Sequence, residues 1–305
     1  MQRRDFLRQS SLLLAAAAFT RPRLFAAPPA PPAAAAAGTF IPVRRGVGAY
    51  TGRGGAIGWL VNADGTLAID SQFPDSARDF LQHLPGRADR ALDVLINTHH
   101  HPDHTAGNPV LGPAAARHVA HATVPALQRA RAEKADTLDA QVYAKELFDA
   151  EWTLDLGDET VTARHLGPAH TAGDIIVHFQ KADVVHLGDL VFNRVYPVLD
   201  RPGGTNVGNW IAQLNKLYAD HSDDTRFIFG HGHADHGVIG SRTDIRNFRG
   251  FLERLRDLVQ SEIVAGKPEV QIFARTSMPG YGGYEPNPAR FRSALAAVYD
   301  ELTGG

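Results

Sequence analysis

The run Leu92-Asp93-Val94-Leu95-Ile96-Asn97 is followed at once by Thr98-His99-His100-His101-Pro102-Asp103-His104. The first half is short, apolar and partly β-branched, which is the pattern of a buried strand. The second half sets four imidazoles and a carboxylate where that strand ends, a place from which a rigid scaffold can aim several side chains at one point. Imidazole and carboxylate are the ligands that borderline divalent metals prefer, zinc above all. His99 and His101 can face one ion while Asp103 and His104 turn to its neighbour. Pro102 stiffens the turn, and Gly107 is expected to let it curl back.

Three more segments carry the same kinds of group. His170 lies in Gly167-Pro168-Ala169-His170-Thr171-Ala172-Gly173-Asp174, Asp189 in His186-Leu187-Gly188-Asp189-Leu190, and His231 in Phe229-Gly230-His231-Gly232-His233. Strand-like runs adjoin these segments, and the seven groups together are enough for two ions. This ordered set resembles the metallo-β-lactamase superfamily from about Thr39 to His236. The first motif is specific, whereas the others gain weight from their order.

The resemblance implies a four-layer αββα sandwich of the α/β class. It also implies that His99, His101 and His170 hold a first metal and that Asp103, His104 and His231 hold a second, with Asp189 bridging them. The expected cofactor is two Zn2+ per chain, with iron or manganese as alternatives. Asp70, closing the run Gly65-Thr66-Leu67-Ala68-Ile69-Asp70, matches the family's early Asp behind the ligands. His100, His233 and His236 match no ligand position. The expected reaction is hydrolysis at a carbonyl by a metal-bridging hydroxide, with Asp103 as the catalytic residue that orients it and shuttles its proton. No serine elbow of the Gly-x-Ser-x-Gly kind is present, and the chain has no cysteine.

The same absence bears on the branch. One large subgroup of zinc β-lactamases has Cys where this chain has Asp189, and many have Arg where this chain has His104. A carboxylate can span two ions, which moves the expectation toward ester, lactone and thioester hydrolases. β-Lactam hydrolysis stays open as an alternative, because the stretch from His170 to Val177 and the run Gly208-Asn209-Trp210 also resemble those enzymes. Two further alternatives are a non-heme iron persulfide dioxygenase, which uses only part of this ligand set, and a metal-binding accessory protein without turnover.

The substrate side is less constrained. Candidate walls are Tyr50-Thr51-Gly52-Arg53-Gly54-Gly55 in a Gly-rich hairpin, the segment from Phe192 to Asn206, and the loop from Met278 to Tyr284. Arg194 is a candidate partner for a substrate carboxylate, with Tyr196 beside it. The chain has 305 residues, 44% of them hydrophobic, so it can bury a sizeable core. Its formal net charge of −2 argues against nucleic acid or an anionic membrane as partner and leaves a small-molecule substrate.

The N-terminus reads as a targeting segment. Arg3-Arg4-Asp5-Phe6-Leu7-Arg8 precedes an apolar run from Leu12 to Phe19, which fits a twin-arginine export signal over residues 1–27. An Ala/Pro spacer follows over 28–38, then a hydrolase domain over 39–305. The apolar run is short and flanked by Arg21 and Arg23, so no stable membrane anchor is expected, and the mature protein is placed in the periplasm.

Strands are expected at Ile57–Asn62, Gly65–Asp70, Leu92–Asn97, Glu159–Leu166, Ile175–Phe179, Val184–Leu187 and Arg226–Phe229. Helices are expected at Ser76–Leu84, Thr123–Lys134, Leu138–Phe148 and Asn209–Ala219, from Ser241 to about Val264, and from Asn287-Pro288 to about Leu302. In the long one, Ile245, Phe248, Leu252, Leu255 and Val259 recur at helical steps. Ser241 and Asp244 form a capping box, and Gly266 and Pro268 stop it.

Overall fold

The structure is a computed structural model that describes residues 37–88 and 90–304. The export signal and nearly all of the Ala/Pro spacer therefore lie outside the described residues. Alternating or continuous apolar runs build the first half as β1 (Thr39–Arg44), β2 (Val47–Thr51), β3 (Ile57–Val61), β4 (Thr66–Ile69), α1 (Pro74–His83) and β5 (Leu92–Asn97). The chain continues through α2 (Pro102–Thr105), α3 (Asn108–Ala114), β6 (Ala115–His121), α4 (Val124–Lys134) and β7 (Glu146–Phe148). The second half runs β8 (Glu151–Leu156), β9 (Glu159–Arg164), β10 (Ile176–Phe179), β11 (Val184–His186), β12 (Phe192–Asn193) and α5 (Val207–Asp220). It ends with β13 (Arg226–Ile228), β14 (His231–Gly232), β15 (Ile239–Gly240), α6 (Arg242–Val264), α7 (Glu269–Ile272) and α8 (Pro288–Thr303).

Two sheets result. The first has seven strands in sequential order β1 to β7, antiparallel up to β4 and parallel from there. The second has six in the order β15-β13-β11-β10-β9-β8, with β11 and β13 parallel. A core of Leu60, Ile69, Ile96, Val119, Val161, Val177, Val184 and Ile228 fills the space between the sheets. Phe80 of α1 and Leu111 of α3 cover the outside of the first sheet. Trp210, Phe248, Leu252 and Phe291 of α5, α6 and α8 cover the second. This is the αββα sandwich, with apolar residues on both faces of each central strand.

Helix ends behave as their residues dictate. Ser241 caps α6 in a reciprocal box with Asp244, and Gly266 follows the helix with φ +66°. Asn287 caps α8 through the amide of Arg290. The expected helix at Leu138–Phe148 is a correction. Leu138–Ala140 forms one 3-10 turn, and Glu146–Phe148 is the edge strand β7, paired in parallel with β6. Leu147 points outward at 46% exposure while Phe148 is buried, a period of two that an eleven-residue helical reading averages away. Strands β1, β2, β6, β8, β12, β14 and β15 were not anticipated. Among the described residues, no helix is long and apolar enough to cross a membrane.

One buried polar network ties the strand that carries the first motif to its neighbours. The Asn97 side-chain oxygen at the end of β5 accepts from Asn108 (2.8 Å) and from His118 Nε2 (2.7 Å). Ser71 Oγ donates to Asn108 (2.8 Å) and lies 3.0 Å from the His104 carbonyl. Burial, then the nearby Lys145, pushes the His118 imidazole down to about 4. Its folded pKa is thus below the ordinary unfolded value, so the unfolded chain takes up the proton first. Stability tied to His118 should be full above about pH 6.5 and fall as the pH drops toward 4. Urea midpoints measured across that range should fall less steeply for His118→Gln than for wild type; equal slopes would refute the role.

Candidate metal centre

The parallel strand pairs of the two sheets end at the same place, and the seven expected ligands lie there. Asp70 follows β4, the His99–His104 loop follows β5, Asp189 follows β11 and His231 follows β13. Clefts outside the carboxyl ends of parallel strands are where open α/β sheets present their side chains to ligands. The two sheets are latched at this rim by backbone hydrogen bonds from Ala56 to the Gly230 carbonyl (2.8 Å) and from Ile175 to the Thr98 carbonyl (3.0 Å).

His99, His101, His170 and Asp189 form one cluster of facing ligand atoms, and Asp103, His104 and His231 form a second. In the first, His170 Nε2 lies 3.0 Å from His101 Nδ1 and 3.5 Å from Asp189 Oδ2, and His99 Nε2 lies 3.9 Å from the same oxygen. In the second, His231 Nε2 lies 3.1 Å and His104 Nε2 3.8 Å from Asp103 Oδ2. Asp189 reaches this set too, with Oδ1 3.1 Å from His104 Nε2 and Oδ2 3.4 Å from His231 Nε2. Two ligand atoms on one tetrahedral zinc, each about 2.0–2.1 Å from it, stand about 3.3 Å apart. The observed separations bracket that value.

The unsatisfied atoms point the same way. His99 Nε2, His104 Nε2 and Asp189 Oδ1 are buried without a hydrogen-bond partner, which is costly unless a cation satisfies them. The residues present therefore fit a divalent metal. The electrostatics record the strain of assembling this set. Burial, followed by the His104 charge, holds His99 well below its ordinary range. Burial and then His101 bring His170 down to about 3. Burial also opposes charge on His231, but Asp189 and Asp103 outweigh it and raise that imidazole to about 9. His104 is likewise raised against its burial, by Asp189, Asp70 and Asp103. Burial disfavours the Asp103 and Asp189 carboxylates, yet the facing imidazoles hold both below the usual range.

Three of the rings are held from behind as well. Asp70 accepts from the Thr98 amide (2.7 Å), the Thr98 hydroxyl (2.7 Å) and His104 Nδ1 (2.8 Å). Thr98 Oγ1 in turn lies 3.0 Å from His99 Nδ1, leaving His99 Nε2 to face the cluster. Asp70 does this with φ +66°, a left-handed conformation rare for a non-glycine residue. His101 is turned the other way round: its Nε2 donates to Asp200 (2.8 Å), so Nδ1 faces the site.

Asp200 was not anticipated from sequence. The available signal was an Asp in a Pro-Gly-Gly turn within the Phe192–Asn206 segment, together with a histidine that ligates through Nδ1 and so needs a partner on Nε2. The unassigned His100 faces the same carboxylate at 3.4 Å. His233 and His236 lie side by side, their ring centroids 5.9 Å apart, and belong to neither cluster.

Two other expectations are corrected. Gly107 does not use left-handed freedom, because its φ is −82°. It is required by close approach, since a Cβ there would meet the Ser71 carbonyl oxygen at 2.1 Å. Arg194 and Tyr196 are not brought to the cluster. The backbone turns at Arg194 with φ +62°, its guanidinium lies over the Tyr284 ring, and it lines a hollow with Arg246 and Tyr281. Tyr196 is buried against Phe251 and Phe291, its hydroxyl accepting from the Met278 amide. The loop from Met278 to Tyr284 is thus a packing partner of these residues.

The metallo-beta-lactamase superfamily profile matches residues 50–233, more than half of the chain. The chain belongs to the metallo-β-lactamase superfamily. A metallo-β-lactamase (IND-1) of Chryseobacterium indologenes is 31% identical over 104 residues, covering 32% of this chain and 44% of that protein. A hydroxyacylglutathione hydrolase of Hyphomonas neptunium is 31% identical over 147 residues, covering 44% of this chain and 47% of that protein. The chain thus spans less than half the length of each of these curated relatives. Among solved structures, a metallo-β-lactamase from Pontibacter korlensis superposes with a TM-score of 0.58 at 15% identity, over 71% of this chain and 99% of its own. A double mutant of the sec-alkyl sulfatase PisA1 superposes with a TM-score of 0.67 at 15% identity, over 88% of this chain and 50% of its own. These likenesses concern the fold.

Two substitutions probe the support of the site. Asp200→Ala frees His101 Nε2 and should weaken metal affinity by about 10- to 100-fold while the fold persists, read by competition with a chromophoric chelator. Unchanged affinity would remove Asp200 from the support. A Cβ at position 230 would lie 2.0 Å from Asp189 Oδ1. Gly230→Ala should therefore displace that carboxylate and lower metal content, whereas full metal content in a folded Gly230→Ala protein would count against so tight a fit.

Proposed function

We propose that this member of the superfamily is a periplasmic, dinuclear zinc-dependent hydrolase that cleaves a carbonyl bond of an ester, lactone, thioester or lactam. The observation that carries the reading is Asp189, whose two oxygens lie 3.1–3.5 Å from His104, His231 and His170, and so from both ligand sets. Zinc held there would lower the pKa of a water to about 7 and polarise the substrate carbonyl. His99, His101 and His170 would hold one ion, Asp103, His104 and His231 the other, and Asp189 both. The export signal that supports the periplasmic address stands on the N-terminal sequence alone.

The residues of the chain divide the remaining work. Among the seven ligands, the Asp103 and His231 side chains retain 32% and 21% exposure, and the other five retain 6% or less. Substrate therefore approaches from the Asp103 and His231 side. Asp103 is the carboxylate on that side, and its Oδ2 can accept a proton from the attacking water and pass it to the leaving group. The Arg53 to Gly55 turn borders this approach, since the Gly55 amide donates to the Asp103 carbonyl at 3.0 Å. The Arg53 guanidinium lies 4.1 Å over the Phe73 ring. Phe73 and Pro102 line a mostly apolar hollow of about 610 Å³, whose lining also includes Arg78 and Arg131, paired with Asp75 and Asp200. That surface suits a substrate with an apolar acyl portion.

The bridging Asp and His104 favour ester-like and thioester substrates. The similarity to the β-lactamase IND-1 over 104 residues keeps lactam cleavage as the second reading. Elemental analysis of purified mature protein should find two zinc ions per chain at the seven-ligand centre, with turnover in a panel of aryl ester, lactone, thioester and nitrocefin probes. Asp189→Ala should lose at least one of those ions and more than about a hundredfold in turnover. One iron without hydrolysis, or full activity in Asp189→Ala, would overturn the assignment.

A further inference from the structure

We propose that the opposite end of the second sheet carries an independent site for a borderline divalent metal ion of the Zn2+, Ni2+ or Cu2+ kind, ligated by His178, Asp183 and His221. The β10–β11 hairpin places it. His170 and Asp189 lie beyond the ends of β10 and β11 at the catalytic rim, whereas His178 and Asp183 flank the turn at the other end of the same antiparallel pair. His221 reaches them from the C-terminal end of α5.

One ligand atom from each of the three residues lies within 4.8 Å of the others. The two imidazole rings stand 5.2 Å apart at 85° to each other, so they can converge on a point between them. His178 Nε2 is buried and has no hydrogen-bond partner, an unsatisfied donor-acceptor of the kind a metal resolves. Asp183 is held in place, with φ +51° and its Oδ1 accepting the Thr225 hydroxyl at 2.9 Å.

The chemistry of the surroundings is compatible with a cation. Burial holds His178 down to about 4 and also lowers His221, so both rings are neutral at pH 7 and offer lone pairs. The cations nearby are already paired: Arg164 with Glu151 at 2.7 Å and Lys216 with Asp220 at 2.8 Å. Arg44 stands 3.7 Å from Asp183 and is the group a metal would displace. Two imidazoles and one carboxylate select borderline divalent ions over Mg2+ or Ca2+ and leave a fourth position to solvent. The three residues open onto a cavity of about 580 Å³, which gives the ion and its water a way in. Bound there, the ion would pin the end of α5 to the β10–β11 turn.

The test compares zinc-saturated, desalted wild-type protein with His178→Gln/His221→Gln by elemental analysis and thermal melting. Wild type should carry one more zinc per chain, and its melting temperature should rise on adding micromolar Ni2+, whereas that of the double variant should not. Carbonyl hydrolysis should be equal in the two proteins, so this site can fail without the catalytic reading failing, and the reverse. In a background that disables both ligand sets of the other centre (His99→Gln/His101→Gln/His104→Gln/His231→Gln), Cu2+ should still bind at micromolar concentration with an electron paramagnetic resonance spectrum showing two nitrogen ligands. Should the His178/His221 variant not fold, Asp183→Asn is read the same way. Equal zinc content in wild type and variant, or binding only at millimolar metal, would overturn the proposal.

Discussion

Asp189 is a carboxylate at 3% side-chain exposure with three imidazole nitrogens within 3.5 Å. Such a group cannot be buried without compensation, because desolvating an ion costs several kcal/mol that only close opposite charge can offset. In the bare protein the compensation comes from raised His104 and His231. A divalent cation does the same with one charge centre where two protons were needed, and it also satisfies the unpartnered His99 and His104 nitrogens. The rest of the site follows from this requirement. Each ring must turn its free nitrogen inward, and for His99, His101 and His104 a partner behind the ring holds it so, whereas His170 Nδ1 is buried without one.

That backing explains features which otherwise look like defects. The left-handed Asp70 would be strained in isolation, yet it reaches Thr98 twice and His104 once from that conformation. Asp200 serves His101 alone among the ligands, and the Gly203 amide bond to its other oxygen (3.1 Å) fixes its direction. Close packing adds a steric limit. A Cβ at Gly55 would enter the His104 ring at 2.1 Å, so the hairpin that borders the approach to Asp103 can lie this close only with glycine there.

Most of the centre was legible because its ligands are written in short segments next to apolar runs, and strand ends are where such runs stop. The ring-backing residues were legible only in part. Asp70 could be found by its place after β4, but Asp200 lies 99 residues from His101 in the chain and sits in a turn whose sequence says only turn. Arg194 and Tyr196 misled for a related reason. A basic and an aromatic residue soon after the expected bridging Asp look like substrate contacts, and nothing local reveals that a left-handed Arg194 sends the chain into the α6 and α8 core. The lost helix at Leu138–Phe148 and the unforeseen β1, β2, β6 and β8 have one cause. Length is not that cause, since β1, β6 and β8 have six or seven residues and are no shorter than the strands that were foreseen; pairing with neighbouring strands decides them.

The β10–β11 hairpin connects these points physically. Four-residue β10 and three-residue β11 are held in register by each other and by their neighbours β9 and β13, so the backbone of the hairpin is fixed at both ends. At the catalytic end, β11 delivers Asp189 through Gly188, whose φ of +50° and 2.7 Å Cβ clearance from Thr98 Oγ1 leave little room for adjustment. At the far end, Asp183 enters β11 in its own left-handed turn beside His178 and His221. A shift of the strand along its axis by even part of a residue would move Asp189 out of reach of one ligand set or the other, since its contacts with the two sets differ by only tenths of an ångström. The register of β11 against β10 and β13 is therefore as much a part of the metal site as the ligands themselves.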